Sequence, residues 1–453
     1  MVTRSTVGDI ASGRVSPAQA AENLGDLHPR YTDYQARAEA DRCYFCYDAP
    51  CMQACPTRID VPLFIRQIST GNSKGAATTI LDQNIMGGMC ARVCPTETLC
   101  EQVCVRNEGE GQPVRIGRLQ RYATDHLFDT GETVFTRAAD SGKSVAVVGG
   151  GPAGLACAHG LAQQGHRVCI YDARDKMGGL NEYGIAAYKT VDDFAQREVE
   201  FILGIGGIDV KCGQSLGRDL SLTELRQDYD AVFVAVGMAG VNALGLTDEA
   251  CAGVVDAVDY IARLRQAKDP SRMAVGRRVV VIGGGMTAID IAVQSRLLGA
   301  EEVTIVYRRG QEQMNASPYE QELAQKNGVK IREWAAPAGL LSKDGELTGV
   351  EFVRTRLDSA GQLELTGTRF MLEADMVFKA IGQKVIAEPL LEVREPLALA
   401  HGRIIVDATG KTNLDNVWAG GDCVTGGDDL TVAAVEDGKV AAHAIHQFLQ
   451  QGA

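Results

Sequence analysis

The stretch that decides the fold is Ser144-Val-Ala-Val-Val-Gly-Gly-Gly-Pro-Ala-Gly-Leu155. An apolar run leads directly into the glycines, and the alanine-rich segment Leu155–Gln164 follows them. This order predicts a buried strand, a tight turn and a helix. Gly149, Gly151 and Gly154 fit the spacing Gly-x-Gly-x-x-Gly. Such glycines let the backbone approach a pyrophosphate at the positive N-terminus of the helix.

The next predicted strand, Val168–Tyr171, leads into Asp172, twenty-one residues after Gly151. A carboxylate in this place accepts hydrogen bonds from ribose hydroxyls. The glycine spacing alone is weak evidence, because any tight strand-to-helix turn needs small residues. Together with the strand, the helix and the acid, it predicts a dinucleotide site.

A second turn of the same kind follows 134 residues later. Val279–Ile282 leads into Gly283-Gly-Gly-Met-Thr-Ala288. After the next predicted strand, Tyr307 stands in place of the acid, and Arg308 and Arg309 follow it. Guanidinium groups pair with a ribose 2′-phosphate, so this site is predicted to hold NADPH, with NADH possible. The alternative is two solvated arginines at a strand end.

Two pieces near the C-terminus suggest a flavin at the first site. Trp418-Ala-Gly-Gly-Asp422 reads as a strand that ends in glycines and an acid, and a helix is predicted over Thr431–Ala442. Asp422 is expected to hold the ribityl or pyrophosphate end. The short turns Ala235–Gly237 and Ala380–Gly382 let the chain cross between domains. Residues 144 to 453 thus resemble flavoproteins with two dinucleotide-binding domains, in which the NAD(P)H domain is inserted into the FAD domain.

Composition limits the class of protein. Of 453 residues, 45% are hydrophobic and 23% charged, which is an ordinary globular balance. The net charge of −13 argues against nucleic acid or an anionic membrane as the main partner. No run approaches the roughly 18 apolar residues of a membrane span, so a cytoplasmic protein is expected. Glycine, with 51 residues, is in excess, as tight nucleotide-binding turns require.

Eight of the thirteen cysteines lie in one segment. The segment reads Cys43-x2-Cys46-x4-Cys51-x3-Cys55-Pro56, then Cys90-x3-Cys94-Pro95-x4-Cys100-x3-Cys104. Closely spaced thiolates followed by proline are typical of iron–sulfur loops. A structural zinc site prefers two short knuckles about a dozen residues apart, and disulfides belong to small secreted chains. Both stay open as the less favoured alternatives.

Residues 30 to 453 resemble the family of glutamate synthase small subunits, dihydropyrimidine dehydrogenase N-terminal halves and bifurcating transhydrogenase large subunits. The run Val93-Cys-Pro-Thr-Glu-Thr-Leu-Cys100 is shared across this family. The stretch Ile116-Gly-Arg-Leu-Gln-Arg121 is similar to the NAD(P)H-accepting subunit of bacterial dihydropyrimidine dehydrogenase. In the other members a glutamate stands where Gln120 stands here.

The resemblance implies two [4Fe–4S] clusters with an unequal set of ligands. It assigns one cluster to Cys43, Cys46, Cys51 and Cys104, and the other to Cys55, Cys94, Cys100 and the side-chain oxygen of Gln120. Cys90 is then a free, buried thiol. Counting cysteines alone gives four thiolates to each cluster, and the plain alternative for Gln120 is an exposed helix glutamine.

The fold expected is α+β and multidomain. A helical double [4Fe–4S] domain (1–135) precedes a discontinuous FAD domain (136–262 and 386–453) and an inserted NAD(P)H domain (263–385), both Rossmann-like. No catalytic acid or base is predicted, because hydride transfer to FAD needs orientation and electrostatics only. The expected dinucleotide contacts are Gly149, Gly151, Pro152, Ala153, Gly154, Asp172, Gly179, Leu180, Lys189, Leu216, Gly283, Gly285, Met286, Thr287, Ala288, Arg308, Arg309, Ala380, Gly382, Gly421, Asp422, Leu430 and Thr431. Lys189 is included because the resemblance places it near the flavin, and a solvated lysine is the alternative.

By this resemblance the chain is the electron-input subunit of dihydropyrimidine dehydrogenase. NADPH or NADH is oxidised at FAD, and electrons leave through two clusters to a separate subunit that carries FMN and iron–sulfur centres and reduces uracil or thymine. A heterotetramer is expected. The chain is too short to add the roughly 250 residues of an FMN barrel. The alternatives are a subunit serving glutamate synthase or another acceptor, and a redox-sensing scaffold without turnover.

Overall fold

The computed structural model describes residues 9–247, 249–391 and 395–451. Its helices and strands follow in chain order. The first part contains α1 (Pro17–Asn23), α2 (Asp33–Ala40), α3 (Pro50–Ala54), α4 (Val61–Ser69), α5 (Ser73–Gln83), α6 (Gly87–Val93), α7 (Val105–Glu110) and α8 (Ile116–Thr130). The second contains β1 (Ser144–Val148), α9 (Pro152–Gln163), β2 (Arg167–Asp172), α10 (Leu180–Tyr183), α11 (Phe194–Leu203), β3 (Ile208–Cys212), α12 (Leu222–Asp228), β4 (Ala231–Val234) and β5 (Gly240–Val241).

The rest of the chain adds a second α/β stretch and a C-terminal helix. The stretch contains β6 (Val254–Asp256), α13 (Ala257–Gln266), β7 (Arg278–Gly283), α14 (Met286–Leu297), β8 (Glu302–Val306), α15 (Pro318–Lys326), β9 (Lys330–Arg332), β10 (Ala335–Lys343), β11 (Glu346–Leu357), β12 (Leu363–Glu373), β13 (Met376–Ala380) and β14 (Gln383–Lys384). The chain ends with α16 (Glu388–Leu391), β15 (Leu399–Ala400), β16 (Arg403–Ile404), β17 (Val417–Ala419) and α17 (Thr431–Gln451). Of the described helices, none is long and apolar enough to cross a membrane.

Local sequence explains where many helices begin. Ser16 before α1, Thr32 before α2 and Ser221 before α12 each cap their helix, and each forms a capping box with the residue three positions on. Asp60 accepts a hydrogen bond from Leu63 N at the start of α4. The predicted glycine-turn strands and helices are all present, with ends shifted by a few residues.

By contacts, the described chain forms two compact units. The smaller unit comprises the chain up to Leu27, Tyr183–Val191 and Val241–Gln383. The larger unit comprises His28–Glu182, Asp192–Gly240 and the chain from Lys384 onward. The cysteine segment and the first glycine turn therefore share the larger unit, and the second glycine turn lies in the smaller one. The three-domain boundaries given above stay a prediction.

Each unit is built on a five-stranded parallel sheet, and four of the five strands follow the same order in both. The larger unit has β3-β2-β1-β4-β17, and the smaller unit has β9-β8-β7-β13-β6 plus an antiparallel layer, β10-β11-β12. The inner strands of both sheets are buried runs of valine and isoleucine, as expected where both faces of a parallel sheet are covered. In both sheets the glycine turn follows the central strand, which is the position where doubly wound sheets bind ligands.

Candidate functional site

The first glycine turn is shaped for a close approach of backbone to ligand. Gly149 has φ +108°, and a Cβ there would lie 2.1 Å from the carbonyl oxygen of Ala235. Gly151 is the N-cap of α9 and supplies no side-chain cap. A Cβ on Gly151 would meet only Gly179 Cα, at 3.7 Å. The helix N-terminus thus keeps uncapped N–H groups, as a pyrophosphate requires.

Asp172 lies at the end of β2, against this turn. Its Oδ2 accepts from Gly150 N at 2.7 Å, and its Oδ1 accepts from Arg174 N at 2.8 Å. Burial raises the pKa of Asp172. A carboxylate has about four lone-pair sites, so two remain for ribose hydroxyls. The residues at this end of the sheet therefore fit the FAD predicted from the sequence.

The C-terminal flavin pieces lie beside the same turn. Gly421, after β17, approaches Ala153 on α9, since a Cβ on Gly421 would lie 3.4 Å from the Cβ of Ala153. At the start of α17, Thr431 Oγ1 donates to Asn181 Oδ1 at 2.7 Å. Burial raises the pKa of Asp422 to about 6. The other predicted contacts of this unit lie nearby. Pro152 and Gly154 belong to the first turn of α9, and Gly179 and Leu180 lie at the start of α10. Leu216 packs in the core beside the sheet, and Leu430 directly precedes α17.

The second turn repeats the first in the smaller unit. Gly283 has φ +146°, and a Cβ there would lie 2.1 Å from the carbonyl oxygen of Ala380. Gly285 is the N-cap of α14, again without a side-chain cap, and a Cβ there would meet nothing within 4 Å. Gly382, after β13, has φ +89°. The first turn of α14 begins with the predicted residues Met286, Thr287 and Ala288.

The end of β8 differs from the end of β2. The ring of Tyr307 covers Gly284 so closely that a Cβ there would lie 2.5 Å from it, and its hydroxyl donates to the carbonyl of Gln313. Arg308 is exposed and Arg309 is half-buried. Among the described residues, neither guanidinium has a carboxylate partner. Both are therefore available to an anion such as a 2′-phosphate.

Lys189 is not the solvated lysine that one interpretation of the sequence allowed. Its side chain is 9% exposed, and Nζ pairs with Asp290 Oδ1 at 2.7 Å and Glu320 Oε1 at 2.8 Å. Burial alone would lower the pKa of Lys189, but the two carboxylates raise it. Sequence reasoning missed Glu320, because no motif links it to residues 131 positions away. Lys189, Asp290 and Glu320 thus form a buried cluster of one cation and two carboxylates in the smaller unit.

The first predicted cluster has its four cysteines around one cavity. Cys43, Cys46, Cys51 and Cys104 line it together with apolar residues such as Ile65. The backbone N–H of Phe45 points at Cys43 Sγ, at 3.4 Å. Burial, followed by the neighbouring thiols, raises the pKa of Cys51 to about 12. Four half-buried thiols around one cavity fit a cluster that binds them as thiolates.

The second cysteine set forms in the same unit. A hydrogen bond with Cys90 and burial raise the pKa of Cys94, and the nearby thiols of Cys100 and Cys55 raise it further. Gln120 is only 8% exposed, which contradicts the surface alternative, and its Nε2 donates to Gly87 O at 2.7 Å. Within the described chain, no group donates to its side-chain oxygen. Cys90 and Gln120 thus both stay available as the fourth ligand.

Within the described ranges, no group of three His, Cys, Asp or Glu side chains is arranged to hold a single metal ion.

The helix α6 carries Cys90 and directly precedes Cys94, and a side chain from another helix caps its N-terminus. Glu198 on α11 accepts from Gly88 N at 2.8 Å and Met89 N at 3.1 Å, and so caps the N-terminus of α6. Burial raises the pKa of Glu198 to about 8. No sequence signal marked this glutamate.

Comparisons with known proteins identify the class. The family model "pyridine nucleotide-disulphide oxidoreductase" matches residues 143–438, and "dihydropyrimidine dehydrogenase domain II, 4Fe-4S cluster" matches residues 20–132. The chain belongs to the pyridine nucleotide-disulphide oxidoreductases and carries a 4Fe–4S domain in addition. It is an NAD(P)H-dependent oxidoreductase with FAD and 4Fe–4S cofactors.

The relatives narrow the branch of the family. The chain is 36% identical over 428 residues to the NAD-dependent dihydropyrimidine dehydrogenase subunit PreT of Salmonella typhimurium, covering 94% of this chain and 98% of the relative. It is 34% identical to the glutamate synthase [NADPH] small chain of Escherichia coli, covering 94% of both chains. The predicted resemblance to this branch is confirmed.

Solved structures support the two-sheet fold alone. FprA from Mycobacterium tuberculosis matches with a TM-score of 0.58 and 20% identity, covering 68% of this chain and 85% of that one. Thioredoxin reductase of T. acidophilum matches with a TM-score of 0.52 and 19% identity, covering 68% and 99%. The predicted flavoprotein fold is confirmed.

Proposed function

We propose that this chain is the electron-input subunit of a cytoplasmic dihydropyrimidine dehydrogenase. It oxidises NADPH, or NADH, at FAD and passes the electrons through two [4Fe–4S] clusters. The acceptor is a partner subunit that carries FMN and iron–sulfur centres and reduces uracil or thymine to the 5,6-dihydro form. The complex is a heterotetramer. The similarity to PreT over 94% of the chain supports this proposal.

One structural observation supports it most. Two glycine turns of the same shape are followed by side chains of opposite charge, the acid Asp172 at the first turn and the guanidinium groups of Arg308 and Arg309 at the second. Within the described residues neither guanidinium has a carboxylate partner. Both cysteine sets share the unit of the first turn. The chain thus has one site suited to FAD, one suited to a phosphorylated coenzyme, and thiols for clusters. Together they allow the two electrons of a hydride to be passed on one at a time.

The protein's own residues bind and orient the reactants. FAD, when bound, accepts a hydride and returns electrons singly, which is chemistry that no side chain supplies. The uncapped N-termini of α9 and α14 bind the two pyrophosphates. Asp172 binds a ribose of FAD, and Arg308 and Arg309 bind the 2′-phosphate of NADPH. The N-terminus of α17 stabilises negative charge at the flavin edge.

Two assays test the function. The isolated chain, purified anaerobically, should reduce an artificial one-electron dye with NADPH or NADH, which a redox-sensing scaffold would not do. Purified from its native host together with its partner, it should also oxidise the coenzyme in the presence of uracil. Dye reduction without any response to uracil or thymine in that complex would still agree with an oxidoreductase. It would contradict the proposal that pyrimidines are the final acceptor.

The ligand set is tested by metal content. Two four-iron sites predict about eight iron and about eight acid-labile sulfide per chain. Cys94→Ala and Gln120→Ala should each disturb the second cluster, and Cys90→Ala should leave both clusters intact. Loss of a cluster in Cys90→Ala with both retained in Gln120→Ala would show that the fourth ligand is the thiolate. Stoichiometric zinc without sulfide would exclude iron–sulfur clusters.

A second candidate is a small subunit of the glutamate synthase type, because that relative covers as much of the chain. Gln120 is the residue that separates the two, since a glutamate is expected there in glutamate synthase. Activity of the native complex with 2-oxoglutarate and glutamine, rather than with uracil, would favour this second candidate.

A further inference from the structure

Trp334 has a backbone conformation that a bulky side chain rarely adopts. It lies between β9 and β10, directly before Ala335, with φ +56°. Left-handed backbone at a large residue is a true outlier and persists only where the surroundings enforce it. Such residues cluster at ligand clamps and active sites. The strain at Trp334 therefore needs a structural or functional reason.

Hydrogen bonds fix Trp334 to the end of β8. Trp334 N donates to Arg309 O at 3.2 Å, and Thr355 N donates to Trp334 O at 3.0 Å. The hydroxyl of Thr355, itself buried, donates to Arg308 O at 2.7 Å. Thr355 thus bonds to both Trp334 and Arg308, and Trp334 bonds to Arg309. The backbone of Trp334 lies beside the arginines that are suited to a 2′-phosphate.

The indole itself is available. Trp334 is half-buried. In the described part of the chain, no aromatic ring or cationic side chain stacks on it and no group accepts from its N–H. A core-filling tryptophan would be covered, as Trp418 is with 3% exposure. An indole that is held rigidly and left partly open suits stacking on a flat heterocycle.

We infer that Trp334 is the residue on which the adenine ring of the nicotinamide coenzyme stacks. This inference rests on the proposed function, because it takes the second glycine turn as the coenzyme site. Adenine is common to NADPH and NADH, so the role of Trp334 does not depend on which coenzyme is used. The arginines would select the phosphate, and Trp334 would add affinity for either coenzyme.

Tryptophan fluorescence gives a readout independent of turnover. The chain has two tryptophans, so the difference between the parent protein and Trp334→Phe isolates the emission of Trp334. Titration of the FAD-loaded protein with 2′,5′-ADP and with 5′-AMP, which carry adenine but no nicotinamide, should quench this emission. Calorimetry should give a similar Kd for Trp334→Phe, which retains a ring, and a Kd raised about tenfold for Trp334→Gly.

Glycine is chosen because it tolerates the positive φ, so the variant loses the ring without added backbone strain. Leu365→Ala is the matched control, since Leu365 is a 63% exposed apolar residue on β12 of the same unit, and its Kd should stay unchanged. Binding with unchanged Trp334 emission, or an unchanged Kd in Trp334→Gly, would overturn the inference and leave the proposed function intact. A parent protein that binds neither adenine nucleotide and fails to oxidise NADPH or NADH would overturn both.

Discussion

The two glycine turns share their backbone shape and differ most in the side chain that follows the second strand. Both turns follow the central strand of a five-stranded parallel sheet. In both, a Cβ on the first glycine would lie 2.1 Å from a backbone carbonyl oxygen. In the larger unit the carboxylate of Asp172 accepts from the turn at Gly150 N. In the smaller unit the ring of Tyr307 covers Gly284 and two arginines follow.

This difference separates what the fold requires from what the ligand requires. Gly149 and Gly283, and Gly154 in the larger unit, leave no room for a Cβ beside a backbone carbonyl, so packing requires glycine there whatever is bound. The central glycines, Gly151 and Gly285, have room for a Cβ, so packing does not require glycine there. The strand-end residues Asp172 and Tyr307 each contact their own turn but present different chemistry to a ligand. Specificity for one dinucleotide or another therefore lies in very few side chains.

The largest effect is expected where the backbone is closest. Gly149→Ala and Gly283→Ala place a Cβ 2.1 Å from a carbonyl oxygen at positive φ, so the turn must shift. Gly149→Ala should purify without FAD. Gly283→Ala should keep FAD, because its turn lies in the other unit, and should lose NADPH binding. Flavin absorbance and coenzyme titration measure the two losses.

Gly285→Ala is the matched control for this prediction. A Cβ at Gly285 meets nothing within 4 Å, and its φ is −95°. The variant should therefore fold with the parent's Tm and still bind NADPH poorly, because the methyl group occupies the place of the pyrophosphate. Normal coenzyme binding in Gly285→Ala would mean that the pyrophosphate does not lie against this turn.

The next effect is on coenzyme preference. A charge-assisted contact to phosphate contributes about 1.5–3 kcal/mol, so one such contact from Arg308 or Arg309 already predicts a preference for NADPH of about tenfold to about 150-fold in kcat/KM. Replacing both by alanine should raise KM for NADPH much more than for NADH and leave FAD bound. Steady-state kinetics with both coenzymes measure this. Equal or better kcat/KM with NADH in the parent protein would show that the arginines do not select the phosphate, in line with the NAD-dependent relatives.

The sequence predicted those parts of the site that depend on local pattern. Strand, glycine turn and helix are adjacent in the chain, and so are the cysteines of each loop, so both sites could be located by spacing. It could not predict contacts made across long separations. Glu320 pairs with Lys189, and Glu198 caps α6 from about 110 residues away. Trp334 was invisible for a different reason, because a positive φ at a tryptophan leaves no trace in composition or periodicity.

Exchanging the strand-end residue tests the comparison more directly. Tyr307→Asp gives the smaller unit the acid that the larger unit has at Asp172. The new carboxylate should accept from ribose hydroxyls and repel a 2′-phosphate, so kcat/KM should fall about tenfold for NADPH and hold or rise for NADH. Tyr307→Phe removes only the hydrogen bond to Gln313 and serves as the control. The same change of preference in both variants would assign it to the lost tyrosine rather than to the acid.

The smallest effect concerns buried ionisable side chains, which have different partners in the two units. In the smaller unit Lys189 lies between two carboxylates, whereas in the larger unit Glu198 is fully buried and held by the N–H groups of α6, with Arg92 and Asp125 nearby. Burial raises the pKa of Glu198 from 4.5 to about 8. Between pH 4.5 and about 8, the carboxyl group of Glu198 is therefore protonated in the folded state and ionised in the unfolded state.

Glu198 should therefore make the protein less stable as the pH rises from about 4.5 towards 8, with little further change above that. The slope is at most about 1.4 kcal/mol per pH unit, which corresponds to a few °C in Tm. Glu198→Gln keeps an oxygen acceptor for α6 but cannot ionise, so its Tm should fall less than the parent's between pH 6 and pH 8.5. Glu200→Gln, at an exposed position of the same helix, should follow the parent. Parallel Tm curves for the parent and Glu198→Gln would mean that Glu198 stays ionised over this range, held by the amides of α6 and by Arg92.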